Sequence, residues 1–243
     1  MDVSDSNIIE TVNGNVKTIR FNKPRRKNAI SIDMYRRVTQ ILKDASTDEN
    51  IFMVVLTGTG DFYSSGNDLV EAATHTDENG FLHILEEFIK AFILFPKLLI
   101  AIVNGPAVGV ATTTLPLCDL VFASDKAYFY TPFTKLGIIA EACSTLTFPS
   151  QIGKTKSIEL LLLNYKMPAK EALECGLINY MHTPEELEEK AWEKINEILK
   201  LPLEPVLVTK KLFRRTLLDE LLKTNEIEIA EIKKIRANLK SKL

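Results

Sequence analysis

Cysteine is scarce. Cys118, Cys143 and Cys175 are the three thiols in 243 residues. Their odd number and the absence of any CxxC or Cys/His metal spacing fit buried thiols in a reducing compartment better than a disulfide framework. The three histidines, His75, His83 and His182, are scattered and form no ligand set and no triad. No stretch reaches the roughly 18 apolar residues of a membrane span, and the opening MDVSDSNIIE is acidic, with neither a basic n-region nor the arginines of a transit peptide. A protein made in the cytosol and staying soluble is expected. Charge of one sign is also missing: 30 Lys and Arg face 32 Asp and Glu, which argues against nucleic acid and for a small-molecule partner. With 46% hydrophobic and 26% charged residues, the chain is long enough for one large domain. No internal repeat and no low-complexity linker divides it.

The residues present read as α/β. NVKTIRFN sets Val16, Thr18 and Arg20 against Lys17, Ile19 and Phe21, like a hairpin arm after an NGN turn. Ser31 is placed to cap an amphipathic helix in which Met34, Val38, Ile41, Leu42 and Ala45 recur at helical spacing. IFMVVLTG, LLIAIVNG and LCDLVFAS are apolar runs of strand length separated by helix-like segments, the pattern of βαβ units around buried strands. After Phe148 the periodicity is helical. The expected division is a core over 1–195 and a C-terminal helical region over 196–243, whose apolar positions, among them Leu203, Val206, Leu212, Leu217, Leu221, Ile227, Ile232 and Ile235, require either the core or another subunit.

Two strand-to-turn junctions, LTGTGDFYSSGNDL and VNGPAVGVATTTL, carry glycine-rich backbone where α/β folds place ligands. They are weak phosphate loops: Tyr63 stands where GxGxxG needs glycine, and GK[ST] is absent. YSSGN is not GxSxG, so nucleophilic hydrolysis is not indicated. Such turns can instead offer backbone N–H groups to a negative oxygen. A further feature is LGIIAEACSTLTFP, in which Glu141 is the one acid and no base accompanies it. A buried lone carboxylate costs several kcal/mol or takes up a proton. It is therefore an acid satisfied at a helix start, an exposed loop acid, or a group used in chemistry.

Four motifs in order, FNKPRRKNAIS, FYSSGNDL, AIVNGPAVG and TPFTKLGI, resemble the crotonase (enoyl-CoA hydratase/isomerase) superfamily over nearly the whole chain. SSGNDL, NGPAVG and the acid before CS..TFP are similar to the peroxisomal Δ3,Δ2-enoyl-CoA isomerases within it. The resemblance implies a crotonase-like ββα spiral core with a C-terminal helical trimerisation region. It implies an oxyanion hole from the N–H groups of Asn67 and Val110, and a CoA-binding loop around Pro24, Arg25, Lys27, Asn28 and Ala29. Substrate contacts are implied at Ser64, Ser65, Gly66, Asn67, Asp68, Leu69, Gly109, Val110 and Phe133, with apolar walls from Phe62, Tyr63, Phe133, Ile138 and Phe148. At the two positions where family hydratases carry glutamates this chain has Thr113 and Phe133, so water addition lacks its machinery. Glu141 matches the catalytic glutamate of the isomerases, and an apolar setting would raise its pKa toward that of a general base.

The implied activity is the shift of a 3-enoyl-CoA double bond to trans-2-enoyl-CoA, as fatty-acid β-oxidation needs. Neither metal nor other cofactor is expected, since CoA belongs to the substrate. Other acyl-CoA reactions, such as dienoyl-CoA isomerisation or thioester hydrolysis, and a non-catalytic crotonase-like binding module remain alternatives. A homotrimer or hexamer is expected, without nucleic-acid or membrane partners. The final Ser241, Lys242 and Leu243 match the address read by the peroxisomal import receptor, giving a peroxisomal matrix location with a mitochondrial pool left open.

Overall fold

The structure is a computed structural model and describes residues 6–68, 71 and 78–240. Leu69, His75 and the terminal Ser241, Lys242 and Leu243 lie outside the described residues. Strand β1 (Ile8–Asn13) turns through Gly14, at φ 56, into antiparallel β2 (Val16–Phe21). From β2 the sheet continues in parallel through β3 (Met53–Gly58), β4 (Leu98–Val103), β6 (Leu120–Ser124) and β9 (Tyr180–His182), in the spatial order β1-β2-β3-β4-β6-β9. A smaller sheet joins β5 (Ala107–Val108), β7 (Tyr128–Tyr130) and β8 (Lys166–Pro168).

The two-residue period explains why β3 and β4 read as unbroken apolar runs. Val54, Leu56, Leu99, Ala101 and Val103 enter one core cluster, whereas Met53, Val55, Ile100 and Ile102 enter another on the opposite face. Both faces of a parallel sheet are covered, so β3 is buried throughout and β4 from Leu99 onward. On the first face lie α1 (Ile32–Thr47), started by the Ser31 hydroxyl accepting the Met34 N–H at 3.3 Å, and α2 (Glu78–Leu94). On the second lies α6 (Pro184–Leu199) through Leu187, Ala191 and Ile195. Between them in sequence come α3 (Val110–Thr113), α4 (Ser144–Leu161), interrupted at Gly153 with φ 78, and α5 (Ala169–Glu174).

The expected boundary at 195/196 falls inside α6, which crosses it unbroken. Ile198, Leu199, Leu203, Val206 and Leu207 extend the same cluster as Ile195. The final helices, α7 (Leu203–Arg215) and α8 (Leu218–Lys240), are therefore built onto the core rather than appended to it. Leu221 and Ile232 of α8 are buried in the main core, and Asn225 Nδ2 donates to the Glu86 carbonyl of α2 at 3.2 Å. Val208, Leu212, Phe213 and Leu217 in and after α7 remain exposed, as does Leu94, which lines one groove with Val208 and Leu212. No helix among the described residues is long and apolar enough to cross a membrane.

Candidate active site

Residues 64–66 and 106–109 run side by side: Ser64 N–H donates to Pro106 O at 3.3 Å and Val108 N–H to Ser64 O at 3.0 Å. The approach depends on Gly66. Its φ is +82, and a Cβ there would lie 2.6 Å from the Val108 carbonyl oxygen and 3.6 Å from Gly109 Cα. One residue beyond each glycine, the N–H groups of Asn67 and Val110 find no hydrogen-bond acceptor among the described residues. Val110 is buried and Asn67 half-buried, and backbone N–H groups left unpaired away from water are rare in folded proteins. Two of them following adjoining glycines form a place for a carbonyl oxygen that gains negative charge.

Glu141 lies just before α4 and is 3% exposed. Its Oε1 has no hydrogen-bond partner among the described residues. Burial above all, and next the charge of Glu228, push its pKa up to about 7, against the opposing pull of Arg236 and a hydrogen bond from the Asn67 side chain. The Tyr35 hydroxyl donates to Asn67 Oδ1, which leaves the Asn67 amide nitrogen as the donor toward Glu141. Burial and the nearby Glu141 keep the Tyr35 phenol well above its ordinary pKa, so it stays a neutral donor. Asn67 thus has its backbone N–H in one half of the arrangement and its side chain in the other.

The turn that delivers Glu141 is unusual, because Ala142 and Cys143 both adopt left-handed backbone with φ 59. For residues other than glycine this costs on the order of 1–3 kcal/mol each and persists only where the surroundings enforce it. Ser144 helps by donating its hydroxyl to the Glu141 carbonyl at 2.7 Å. Glu228 of α8 accepts the N–H of Cys143 at 2.7 Å and both N–H and hydroxyl of Thr145 at 3.1 and 2.7 Å.

The loop beside this centre begins with a 3₁₀ turn, Pro24–Arg26, followed by Lys27 and Asn28 at φ 53 and 54. Asn28 is buried and holds the loop: its Oδ1 accepts the Lys23 N–H at 2.9 Å while its Nδ2 donates to the carbonyls of Thr59 and Phe62 at 3.0 and 2.7 Å. A short ladder runs from Lys27 O to Ser65 N–H and from Gly66 O to Ile30 N–H. It carries Arg25 and Lys27, both exposed, to the rim of the two-glycine junction, with the Lys27 ammonium 5.0 Å from the centre of the Phe62 ring.

The residues named from sequence divide accordingly. Glu141, Gly66, Asn67, Gly109, Val110 and Phe133 come together, Phe133 Cε1 lying 3.9 Å from where a Cβ on Gly109 would be. Ser65 and Ala29 border the ladder. Ser64 and Asp68 are turned to internal partners. The Ser64 hydroxyl donates to Asn28 O at 2.8 Å, and Asp68 pairs with Lys23 at 2.9 Å, which holds its carboxyl below the usual range. Tyr63 and Phe148 are plain core. Thr113 is buried, its hydroxyl donating to the carbonyls of Gly109 and Val110 at 3.4 Å. Sequence reading passed over Tyr35, Glu228 and Arg236. Tyr35 sits at a core position of an amphipathic helix, and the other two are charged residues of a helical tail with nothing local to mark them.

The enoyl-CoA hydratase/isomerase family profile matches residues 11–242, and the chain belongs to that family. It is 42% identical over 231 residues to enoyl-CoA delta isomerase 2 of Rattus norvegicus, covering 93% of this chain and 59% of that protein. It is 43% identical over 228 residues to peroxisomal enoyl-CoA delta isomerase 3 of Mus musculus, covering 92% and 72%. The chain therefore spans well under two thirds of the rat relative. Among solved structures, an enoyl-CoA hydratase/isomerase from Pseudoalteromonas atlantica superposes with a TM-score of 0.86 at 28% identity, covering 98% of both chains.

Proposed function

We propose that the chain is a Δ3,Δ2-enoyl-CoA isomerase acting by one carboxylate and a two-donor oxyanion hole. The observation that carries this reading is Glu141, a buried acid with a free oxygen and a pKa near 7 beside two unpaired N–H groups. The thioester oxygen of a 3-enoyl-CoA accepts the N–H groups of Asn67 and Val110, which makes the C2 protons acidic. Glu141 Oε1 takes one of them, giving a dienolate, and the same carboxyl returns the proton at C4 to leave trans-2-enoyl-CoA. The proton removed is the proton returned, so the step is redox-neutral and calls for no further cofactor. A positioned base of this type contributes about 10² to 10⁴ in rate, and an oxyanion donor about 10² to 10³.

Thr113 and Phe133 support isomerisation over hydration, because neither can ionise to activate water and the Thr113 hydroxyl is occupied by its own helix. The relatives named as delta isomerases support the same class. Arg25 and Lys27 are the cations placed for CoA phosphates. The peroxisomal name of the mouse relative supports the same compartment for this chain, and the uncovered apolar surface of α7 supports assembly into a trimer or a pair of trimers.

Incubation with 3-hexenoyl-CoA and 3-dodecenoyl-CoA, beside a 2-enoyl-CoA in water, tests the reading. The expected product from the first two is trans-2-enoyl-CoA, with no 3-hydroxyacyl-CoA from the third. Release of free CoA, or hydration as the main reaction, would overturn it.

A further inference from the structure

We propose that Glu228, on the C-terminal helix α8, is a positioning residue for the catalytic carboxylate: it clamps the left-handed Ala142–Cys143 turn from outside and so fixes the direction in which the Glu141 side chain leaves the backbone. The inference rests on the isomerase reading above and goes beyond it, because Glu228 touches no reacting atom.

The N-terminus of α4 has no local cap. Cys143 occupies the cap position and offers its first-turn N–H groups no side-chain oxygen. Such groups need an acceptor when buried, and Glu228 supplies it from a distant part of the chain. One of its oxygens accepts Cys143 N–H, and the other accepts both Thr145 N–H and Thr145 Oγ1. A further bond runs in the same direction, from Cys143 Sγ to the Leu221 carbonyl at 3.2 Å. All these contacts fall two and four residues after Glu141, at Cys143 and Thr145, and both residues between Glu141 and α4 hold backbone angles that Ala and Cys would leave if released. The clamp is itself anchored, since Leu221 and Ile232 of α8 lie in the core and Asn225 is tied to Glu86 of α2.

Glu228 also acts through its charge. The groups facing Glu141 among the described residues are the Tyr35 hydroxyl from α1, the Asn67 amide from the glycine loop, and Glu228 and Arg236 from α8. Of these only Glu228 can carry negative charge; burial raises its own carboxyl against the hydrogen bonds from Thr145 and Cys143, and when ionised it favours the protonated form of Glu141. One side chain thus holds the turn and adds to the effect of burial on the proton affinity of Glu141.

Glu228→Gln tests this in the full chain, with Glu141→Gln measured in parallel. The amide preserves size but sets its NH₂ against at least one of the three donors, the Cys143 N–H when its oxygen keeps both Thr145 bonds. In folded protein, kcat should fall about 10- to 100-fold, with KM within about threefold. The acid limb of the kcat–pH profile should move to lower pH. If Glu228→Gln folds poorly, Thr145→Val provides the second variant: it removes one of the bonds and keeps the charge. It should lower kcat about two- to tenfold with the acid limb unmoved. Unchanged kcat in the variant that folds, with or without a lower Tm, would overturn the inference while Glu141→Gln stayed inactive. Activity retained by Glu141→Gln would instead overturn the isomerase reading itself.

Discussion

The Tyr35 hydroxyl donates to Oδ1 of Asn67, and this single bond decides which way the Asn67 amide faces Glu141. A tyrosine is a neutral donor here, so the carbonyl end of the amide must turn toward α1 and the NH₂ end toward the carboxylate. Tyr35→Phe should keep the edge-on ring contacts with Phe81 and Phe88 and remove only the donor. One neutral hydrogen bond is worth about 0.5–1.5 kcal/mol, so turnover should fall about two- to tenfold while the protein remains folded. Steady-state kinetics beside a thermal melt would check both halves.

Gly66→Ala tests the two-glycine junction. The added Cβ would stand 2.6 Å from the Val108 carbonyl oxygen, on backbone with φ +82. The segments must separate, and the N–H groups of Asn67 and Val110 then cease to converge. Loss of one oxyanion donor costs about 10² to 10³ in rate. The expected result is a loss of kcat of at least that order, whereas retained activity would show that these N–H groups do not hold the thioester.

The raised pKa of Glu141 predicts a trade between activity and stability. A carboxyl with a folded pKa of about 7 against an ordinary 4.5 stabilises the fold fully below about 4.5, and that contribution is lost as pH rises through about 7. Relative to wild type, Glu141→Gln should therefore become progressively more stable between pH 5 and pH 8, by on the order of 3 kcal/mol at the upper end. Denaturant unfolding at the two pH values measures it. The same pKa makes kcat/KM of the wild type rise with pH through about 7, because the base works only when ionised.

Much of this was legible in the residues, and the rest was hidden for identifiable reasons. Val54 and Leu56 alternate with Met53 and Val55, yet all four are apolar because the parallel sheet is covered on both faces, so the strand was visible as a run. Ser31 and the spacing from Met34 to Ala45 marked α1 directly. The glycine turns named the two N–H groups through the motifs they resemble. Apolar periodicity in the tail marked Leu221 and Ile232 as needing cover, but period alone does not say against what. Only the fold shows α8 returning to the core. Glu228 was invisible for the same reason: in sequence it is one more acid on a charged helix, and its partners at Cys143 and Thr145 are adjacent only in space.

The proposed assembly rests on surface that a single chain leaves open. Phe213 on α7 is 80% exposed, and Leu94, Val208 and Leu212 line a groove between α2 and α7. Light scattering at micromolar concentration should give a trimer or hexamer, and Phe213→Glu should shift it toward monomer. A monodisperse wild-type monomer would contradict the assembly without touching the chemistry.

The central claim is that Glu141 moves the proton, and the most direct measurement is the turnover of 3-enoyl-CoA by Glu141→Gln in protein shown to be folded. The substitution keeps shape and removes the base, which is worth about 10² to 10⁴ in rate. Isomerisation should fall by that amount while a saturated acyl-CoA binds with nearly wild-type affinity, because Asn67 and Val110 contribute backbone groups and Lys27 lies on a separate loop. Near-normal turnover by Glu141→Gln would contradict the account and make the buried carboxylate a structural group.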